Sequence, residues 1–435
     1  MIMKKEFPMI QIALDFTELE RALTVARESV SAGVTCLEAG TPLIKAEGLA
    51  AVRALKKEFP KCRIVADMKV MDTGRLEAEM AFKAGADVVV VMGNASEGTI
   101  KEAVDASLNY GGKVMVDLLE ASATIKMAKR AAELGAHFIG VHIPIDKQMK
   151  GEMSLDVLKE IASVVSIPVA VAGGINSENV VDALKAGASI FIVGGAVTKS
   201  EDVKTAVKTI QEAIEKKKGI KTKLFKRVSF SEVRDVFLRV STANISDALH
   251  RSGWLEGLLP VIPDIKMAGK VITVRTYPGD WAKPVEAIDM AEEGDVVVVD
   301  VGGVGPAVWG ELATNSAVIK KVAGVVVYGG VRDVEEITRI KLPVFAKIIC
   351  PEAGEPKGFG EINVPLRMAG YTVRPGDWIV GDNDGVVLIP EERVVETANR
   401  AMDVFERENR IRKEIRDGRT LSSVTDLLKW EKIKK

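Results

Sequence analysis

About the first 210 residues repeat one unit eight times: an apolar run rich in β-branched residues, a short loop, and a helical pattern that often closes on AGA or LGA. The runs are MIQIALDF from Met9, CLEAG from Cys36, IVADMK from Ile64, DVVVVMG from Asp87, KVMVDLL from Lys113, HFIGVHI from His137, PVAVAGG from Pro168 and SIFIVGG from Ser189. Strands alternating with helices must pair in parallel, because each crossover returns the chain to the same edge. Eight such units fit the size of a closed (β/α)8 barrel. An open doubly wound sheet is the competing arrangement, and eight regular units with no odd connection favour closure.

The chain has 435 residues, more than one hydrophobic core normally organises, so two domains are expected. The barrel takes residues 1–214. A helix end then runs into lysines and a glycine (EAIEKKKGIKTKLFKRVSF, residues 212–230), which places a basic, solvated linker at 215–227. From residue 228 to 395 the pattern changes to short strands closely punctuated by Gly and Pro, as in a smaller layered α/β/β domain. Residues 396–435 form a charged helical extension. Val395, Ala398, Met402 and Phe405 recur there at helical spacing, marking one amphipathic helix with a packing or oligomer face.

Charge nearly cancels, 60 Lys plus Arg against 61 Asp plus Glu, so nothing in the balance points to a nucleic-acid or membrane partner. Cys36, Cys62 and Cys350 are too few and too scattered for a disulfide framework or a zinc site. No apolar run approaches the roughly 20 residues of a membrane helix, and no basic-then-apolar signal opens the sequence. These features lead to an expected cytoplasmic location.

In a barrel of this kind, catalytic groups project from the C-terminal ends of the strands. Those ends carry Asp15, Glu38, Asp67 with Lys69, Asp117 and His142. Side chains alternate across a strand, so Asp67 and Lys69 share a face, while Asp72 falls in the turn before Gly74. Taken alone, that stretch also reads as an ion pair capping a loop. Strands seven and eight end in Gly173-Gly174 and Gly194-Gly195. Glycines at these two places let backbone N–H groups approach an anion, at the recurrent phosphate site of the architecture. Glu38 and Asp67 lie on neighbouring strands and could share Mg²⁺ (or Mn²⁺), which prefers oxygen ligands and keeps several waters. A phosphate at one pole and a metal at the other suggest a small sugar phosphate whose carbonyl is polarised while a proton is removed beside it. His142 is the candidate base, its unperturbed pKa lying close to neutral pH. A hydrogen-bonded core histidine is the alternative. His137 and His250, the latter expected within a helix, read as structural.

DMKVMD (residues 67–72) is similar to the Asp-x-Lys-x-x-Asp signature of the orotidine monophosphate decarboxylase superfamily, and LEAGTPLIKAEG (37–48) resembles its 3-hexulose-6-phosphate synthase branch. The likeness spans about residues 7–212. It implies a Mg²⁺-dependent aldehyde-lyase that joins formaldehyde to ribulose 5-phosphate or cleaves the product. It also implies catalytic Lys69, His142 and Asp15, and a homodimer in which Asp72 reaches the partner's site. The 3-keto-L-gulonate 6-phosphate decarboxylase branch shares the metal site but carries an arginine soon after the strand-six histidine, and VHIPIDKQ (141–148) has none. That branch stays as the alternative for the barrel.

The segment GDVVVVDVGGVGPAVWGELATNSAVIKKVAGVVVYGGVRD (294–333), with TANISDAL and RPGDWIVGDNDGVVLIP, resembles the family of RraA-like regulators and 4-hydroxy-4-methyl-2-oxoglutarate aldolases over about residues 228–395. The resemblance implies that Asp333 holds a divalent metal and that Arg332 grips a 2-oxo acid carboxylate as a planar fork can. Backbone N–H groups of Leu312 and Ala313 would bind the same substrate. Glu311 stands where the aldolases often have Asp. A metal-dependent lyase is one expectation for this half, and a regulatory or oligomerisation module that builds a higher assembly is the other.

Overall fold

The computed structural model describes residues 7–119, 121, 123–142, 155–221 and 228–424. They divide into two compact units, one containing residues 7–221 and 406–424, the other residues 228–405. The second half of the expected linker and most of VHIPIDKQ lie outside the described residues.

The first unit is a closed parallel barrel of eight strands: β1 (Met9–Leu14), β2 (Cys36–Ala39), β3 (Arg63–Val70), β4 (Val88–Met92), β5 (Lys113–Asp117), β6 (Phe138–His142), β7 (Val169–Ala172) and β8 (Ile190–Val193). Closure is made by β1 pairing with β8, Met9 opposite Ile190 and Ile12 opposite Val193. The open-sheet alternative is thereby excluded. Because side chains alternate with period two, each strand sends one set outward to the helices and one inward. The outward set includes Leu14, Leu37, Ile64 and Ile139, all fully buried beneath the helical ring. The inward set packs a plug of Met9, Cys36, Val65, Val88, Val90, Met115, Phe138, Ala170 and Ile190.

That plug explains why strands carry charge at their ends. Two residues further along the same inward face come Gln11, Glu38, Asp67 and Asp117, and His142 stands four beyond Phe138. The polar groups are the next layers of the barrel interior, above the apolar seal.

The second unit is built on one mixed sheet. Its strands are β9 (Leu259–Pro260), β10 (Met267–Arg275), β11 (Val296–Asp300), β12 (Ala307–Trp309), β13 (Gly324–Val331), β14 (Val344–Ile349), β15 (Glu361–Ile362), β18 (Trp378–Asp382) and β19 (Gly385–Ile389), beside a small hairpin of β16 (Leu366–Met368) and β17 (Tyr371–Val373). The order is β19-β18-β10-β11-β13-β14-β9, with β12 on β13 and β15 on β10. Its centre, β10-β11-β13-β14, is parallel. Such strands are buried on both faces and read as valine runs, as VVVV does at 296–299. One face carries a core that includes Val297, Val299 and Val327; the other carries Val296, Val298, Val326 and Phe345. A smaller α/β domain after the barrel is as expected. The shortest strands escape pattern reading because two or three residues hold no period.

His250 departs from expectation: the helix stops at Ala248, and His250 sits beyond it with φ +59°. The charged C-terminal segment is also richer than its apolar spacing suggests. Its helix, Val394–Arg416, buries Val394, Ala398, Ala401 and Met402 in the second unit, whereas Arg410 and Glu414 are buried in the first.

Candidate functional site

Six ionisable side chains, with Thr41 and Gln11 beside them, meet at the C-terminal mouth of the barrel. Lys69 Nζ lies 3.2 Å from Asp67 Oδ2 and 3.0 Å from Asp117 Oδ2. His142 Nδ1 lies 3.6 Å from the same Asp117 oxygen, whose partner Oδ1 accepts the Leu119 N–H at 3.0 Å. Thr41 Oγ1 donates to Asp67 Oδ2 at 2.8 Å, and Gln11 Nε2 donates to Glu38 Oε2 at 2.5 Å. Asp15 completes the ring from the end of β1. It packs so closely on Gly40 that a Cβ there would fall 2.1 Å from Asp15 Oδ1, so a larger residue would have to displace that carboxylate.

Electrostatics follow from this crowding. Glu38, fully enclosed, is pushed well above its ordinary pKa by burial and by the nearby Asp67 and Asp15 carboxylates. Asp15 is raised for the same reasons, burial first and Asp67 next. Burial opposes the charge on Lys69, yet Asp67 and Asp117 outweigh it and hold the ammonium up to about 12. Asp117 is lowered: burial alone would raise it, and the adjacent His142 imidazole and the charge of Lys69 reverse that. Lys69 is also held at φ +48°, and β3 slips register between Ala66 and Val70. A non-glycine residue in the left-handed region costs of order 1–3 kcal/mol and persists where surrounding contacts over-determine it. Here the two carboxylate contacts do so.

A divalent cation suits this cluster. Asp67 Oδ1 is buried without a hydrogen-bond partner, beside two carboxylates whose mutual repulsion a cation would relieve. Among the described residues no three His, Cys, Asp or Glu side chains form a ready cage. A pair of carboxylates with water at the remaining positions is nonetheless the usual arrangement for Mg²⁺.

Of the expected residues, Glu38, Asp67, Lys69, Asp15 and His142 are brought together. Gly173 and Gly174 adopt φ +103° and +70°, and Gly194 and Gly195 open the loop after β8. Gly194 neighbours Asp15, since a Cβ on it would stand 3.6 Å from Asp15 Oδ2. Asp72 stands apart: it is exposed, and its Oδ1 accepts the Thr73 N–H at 2.7 Å. Asp117, noted at its strand end but given no role, proves to be the hub between Lys69 and His142. Its inward position two residues after Met115 was the available signal. His137 is structural, its Nδ1 accepting the Val114 N–H at 3.2 Å while burial lowers its pKa.

The second unit gathers its expected residues at the end of β13. Asp333 Oδ2 accepts the Glu311 N–H at 3.1 Å and lies 3.6 Å from Arg332 Nε. Glu311 opens the helix Glu311–Ile319, whose first turn includes Leu312 and Ala313, and the Glu311 carboxylate is engaged by Asn315. First-turn N–H groups have no acceptor within a helix, and Asp333 supplies one for Glu311.

Comparison with known proteins accords with both halves. Residues 8–210 match the family described as orotidine 5'-phosphate decarboxylase / HUMPS, and residues 242–388 match the RraA-like family, described as Aldolase/RraA. The chain is 40% identical over 205 residues to the 3-hexulose-6-phosphate synthase of Mycobacterium gastri, covering 47% of this chain and 99% of the relative. A similar alignment, 38% identical over 201 residues, relates it to the 3-hexulose-6-phosphate synthase of Methylomonas aminofaciens, covering 46% of this chain and 96% of the relative. The solved structure of the RNA-processing inhibitor RraA from Thermus thermophilis is 32% identical, covering 35% of this chain and 93% of that one at a TM-score of 0.33.

Proposed function

Through residues 8–210 the chain belongs to the orotidine 5'-phosphate decarboxylase / HUMPS family, and from that premise we propose that its barrel is a 3-hexulose-6-phosphate synthase. It adds formaldehyde to ribulose 5-phosphate, or cleaves the product in reverse. The observation that carries this reading is the ring of buried Glu38, Asp67 and Asp117 with half-buried Lys69 and His142, one Asp67 oxygen being unpartnered.

Glu38 and Asp67 would hold Mg²⁺ or Mn²⁺, which when bound polarises a carbonyl and stabilises negative charge on its oxygen. His142 takes the proton from C1 of ribulose 5-phosphate, and Asp117, facing its Nδ1, stabilises the imidazolium that forms. The electron pair of the broken C–H bond forms the new bond to the formaldehyde carbon. The formaldehyde oxygen then receives a proton from His142, which restores the base. Lys69, kept charged by its two carboxylates, donates to a substrate hydroxyl, and Asp15 accepts from another. Backbone N–H groups at Gly173, Gly174, Gly194 and Gly195 receive the phosphate. Consumption of formaldehyde only in the presence of ribulose 5-phosphate, abolished by EDTA and restored by Mg²⁺, is the expected result. Release of CO₂ from 3-keto-L-gulonate 6-phosphate with no formaldehyde chemistry would assign the barrel to the decarboxylase branch instead.

The second domain reads as a metal-dependent lyase for a 2-oxo acid, supported by the convergence of Arg332, Asp333 and the helix start at Glu311. Pyruvate release from 4-hydroxy-4-methyl-2-oxoglutarate by the full chain, lost in Asp333→Asn, is the outcome expected. No release, with barrel activity intact, leaves this half a binding or assembly module. Assembly through the barrel is supported by Met71, Leu76 and Met80, large apolar side chains 50%, 59% and 47% exposed around Asp72. Leu312 and Ile319, also exposed, offer the second domain a face of its own.

A further inference from the structure

Residues 406–424 follow the second domain in sequence but belong to the compact unit of the barrel. Their attachment is electrostatic. Arg410 is only 4% exposed. Its Nε lies 3.2 Å from Glu414, its Nη2 lies 3.4 Å from Glu28, and its Nη1 donates to the backbone carbonyl of Ser200 at 3.3 Å. Glu414 is shared with Arg21 at 3.4 Å and Arg419 at 3.2 Å. Lys413 donates to the backbone carbonyl of Glu201. Burying a guanidinium is costly unless its planar fork is well matched, and a matched fork selects one arrangement over its neighbours.

The two carbonyls that receive these cations close the loop after β8. That loop runs from Gly194 through the single helical turn Gly195–Thr198 and Lys199 to Ser200, whose N–H bonds back to the Val197 carbonyl at 3.1 Å. Lys199 folds along the glycine, since a Cβ on Gly195 would stand 3.3 Å from its Cε and 3.5 Å from its Nζ. The lysine is also near enough to Asp15 to oppose the rise in that carboxyl's pKa. The loop is therefore held at one end by β8 and at the other by Arg410 and Lys413, gripped by main-chain atoms rather than by side chains.

We propose that Arg410, assisted by Lys413, is a positioning residue for the barrel reaction: it fixes the Gly194–Lys199 loop in the geometry that receives the phosphate of the sugar substrate. The inference rests on reading that loop as the phosphate site. Its consequence is that a segment lying beyond the second domain in sequence sets substrate affinity in the first.

The test uses the full chain and steady-state kinetics with ribulose 5-phosphate and formaldehyde. Arg410→Met is expected to raise KM for ribulose 5-phosphate about tenfold and to weaken competitive inhibition by inorganic phosphate by about the same factor. The KM for formaldehyde and kcat should stay within about twofold, because the reacting atoms are held by other residues. Arg410→Lys should recover part of the loss. Lys413→Met, which removes one solvent-exposed contact and strands no buried charge, should raise the same two constants about threefold. A lower melting temperature with both constants unchanged would reduce Arg410 to a structural staple and overturn the proposal. If Arg410→Met does not fold, Lys413→Met decides alone, and unchanged constants there overturn it too. Gly195→Ala separates the premise from the inference. If it leaves phosphate inhibition unaltered, the loop is not the phosphate site and the proposal falls with it. If it weakens inhibition while the Arg410 and Lys413 variants do not, the proposal alone fails.

Discussion

Glu38 is the residue on which burial and charge disagree most. Its carboxyl is enclosed beside Asp67 and Asp15, so its folded pKa lies well above the unfolded value near 4.5. The native state then binds more protons than the unfolded chain between those two pKa values, and stability falls as pH rises through that window. In EDTA the melting temperature of wild type should therefore decline more steeply above about pH 4.5 than that of Glu38→Gln, and saturating Mg²⁺ should flatten the wild-type curve. Parallel slopes for the two proteins would remove the like-charge argument. Glu38→Gln should also lower turnover by roughly three orders of magnitude, the scale expected when a metal-held charge is lost. His142→Ala tests a different step. It should slow exchange of the C1 proton of ribulose 5-phosphate with solvent by about two to four decades, and wild-type exchange in that variant would assign the proton to another group.

At the scale of elements, the mouth of the barrel is assembled by strand ends whose loops leave no slack. Gly40, between β2 and the helix Thr41–Glu47, faces Asp15 at the end of β1, and an added methyl would strike that carboxylate. Gly40→Ala should therefore cost about 1–3 kcal/mol, as overpacking does, read as a lowered melting temperature, and should reduce activity by displacing Asp15. Unchanged stability and turnover would mean that Asp15 can move without consequence. The turn after β3 works differently. Lys69 and Thr73 both take φ +48°, which bends the chain sharply between the inward Lys69 and the exposed Asp72. One short stretch thus serves the interior of the barrel and its surface.

For the whole molecule, that surface residue has a testable role under the proposed homodimer. If Asp72 completes the partner's site, inactive Lys69→Ala subunits mixed with inactive Asp72→Ala subunits should regain activity, because one site in each mixed dimer keeps both groups. Random exchange makes about half the dimers mixed, so recovery should approach roughly a quarter of wild type. No recovery after subunit exchange has been verified would return Asp72 to the role it has in a single chain, capping its own turn through the Thr73 N–H. The fusion joins an RraA-like domain to the barrel, and among the described residues no helix is long and apolar enough to cross a membrane.

Strand count, parallel pairing and the charged strand ends were legible in the sequence because each is a local, periodic property: alternation places Asp67 and Lys69 on one face whatever surrounds them. The hub position of Asp117 and the crowding that raises Glu38 were not. They depend on which strands lie side by side and how deeply each inward residue sits, which no window of sequence contains. The C-terminal segment makes the same point at longer range. Its apolar spacing announced a helix, but nothing in that spacing singles out Arg410, and only the folded chain brings it within reach of Glu28 and Ser200, 382 and 210 residues away. Local periodicity is written residue by residue, whereas desolvation and charge pairing belong to the three-dimensional neighbourhood, and that neighbourhood exists only once the chain has folded.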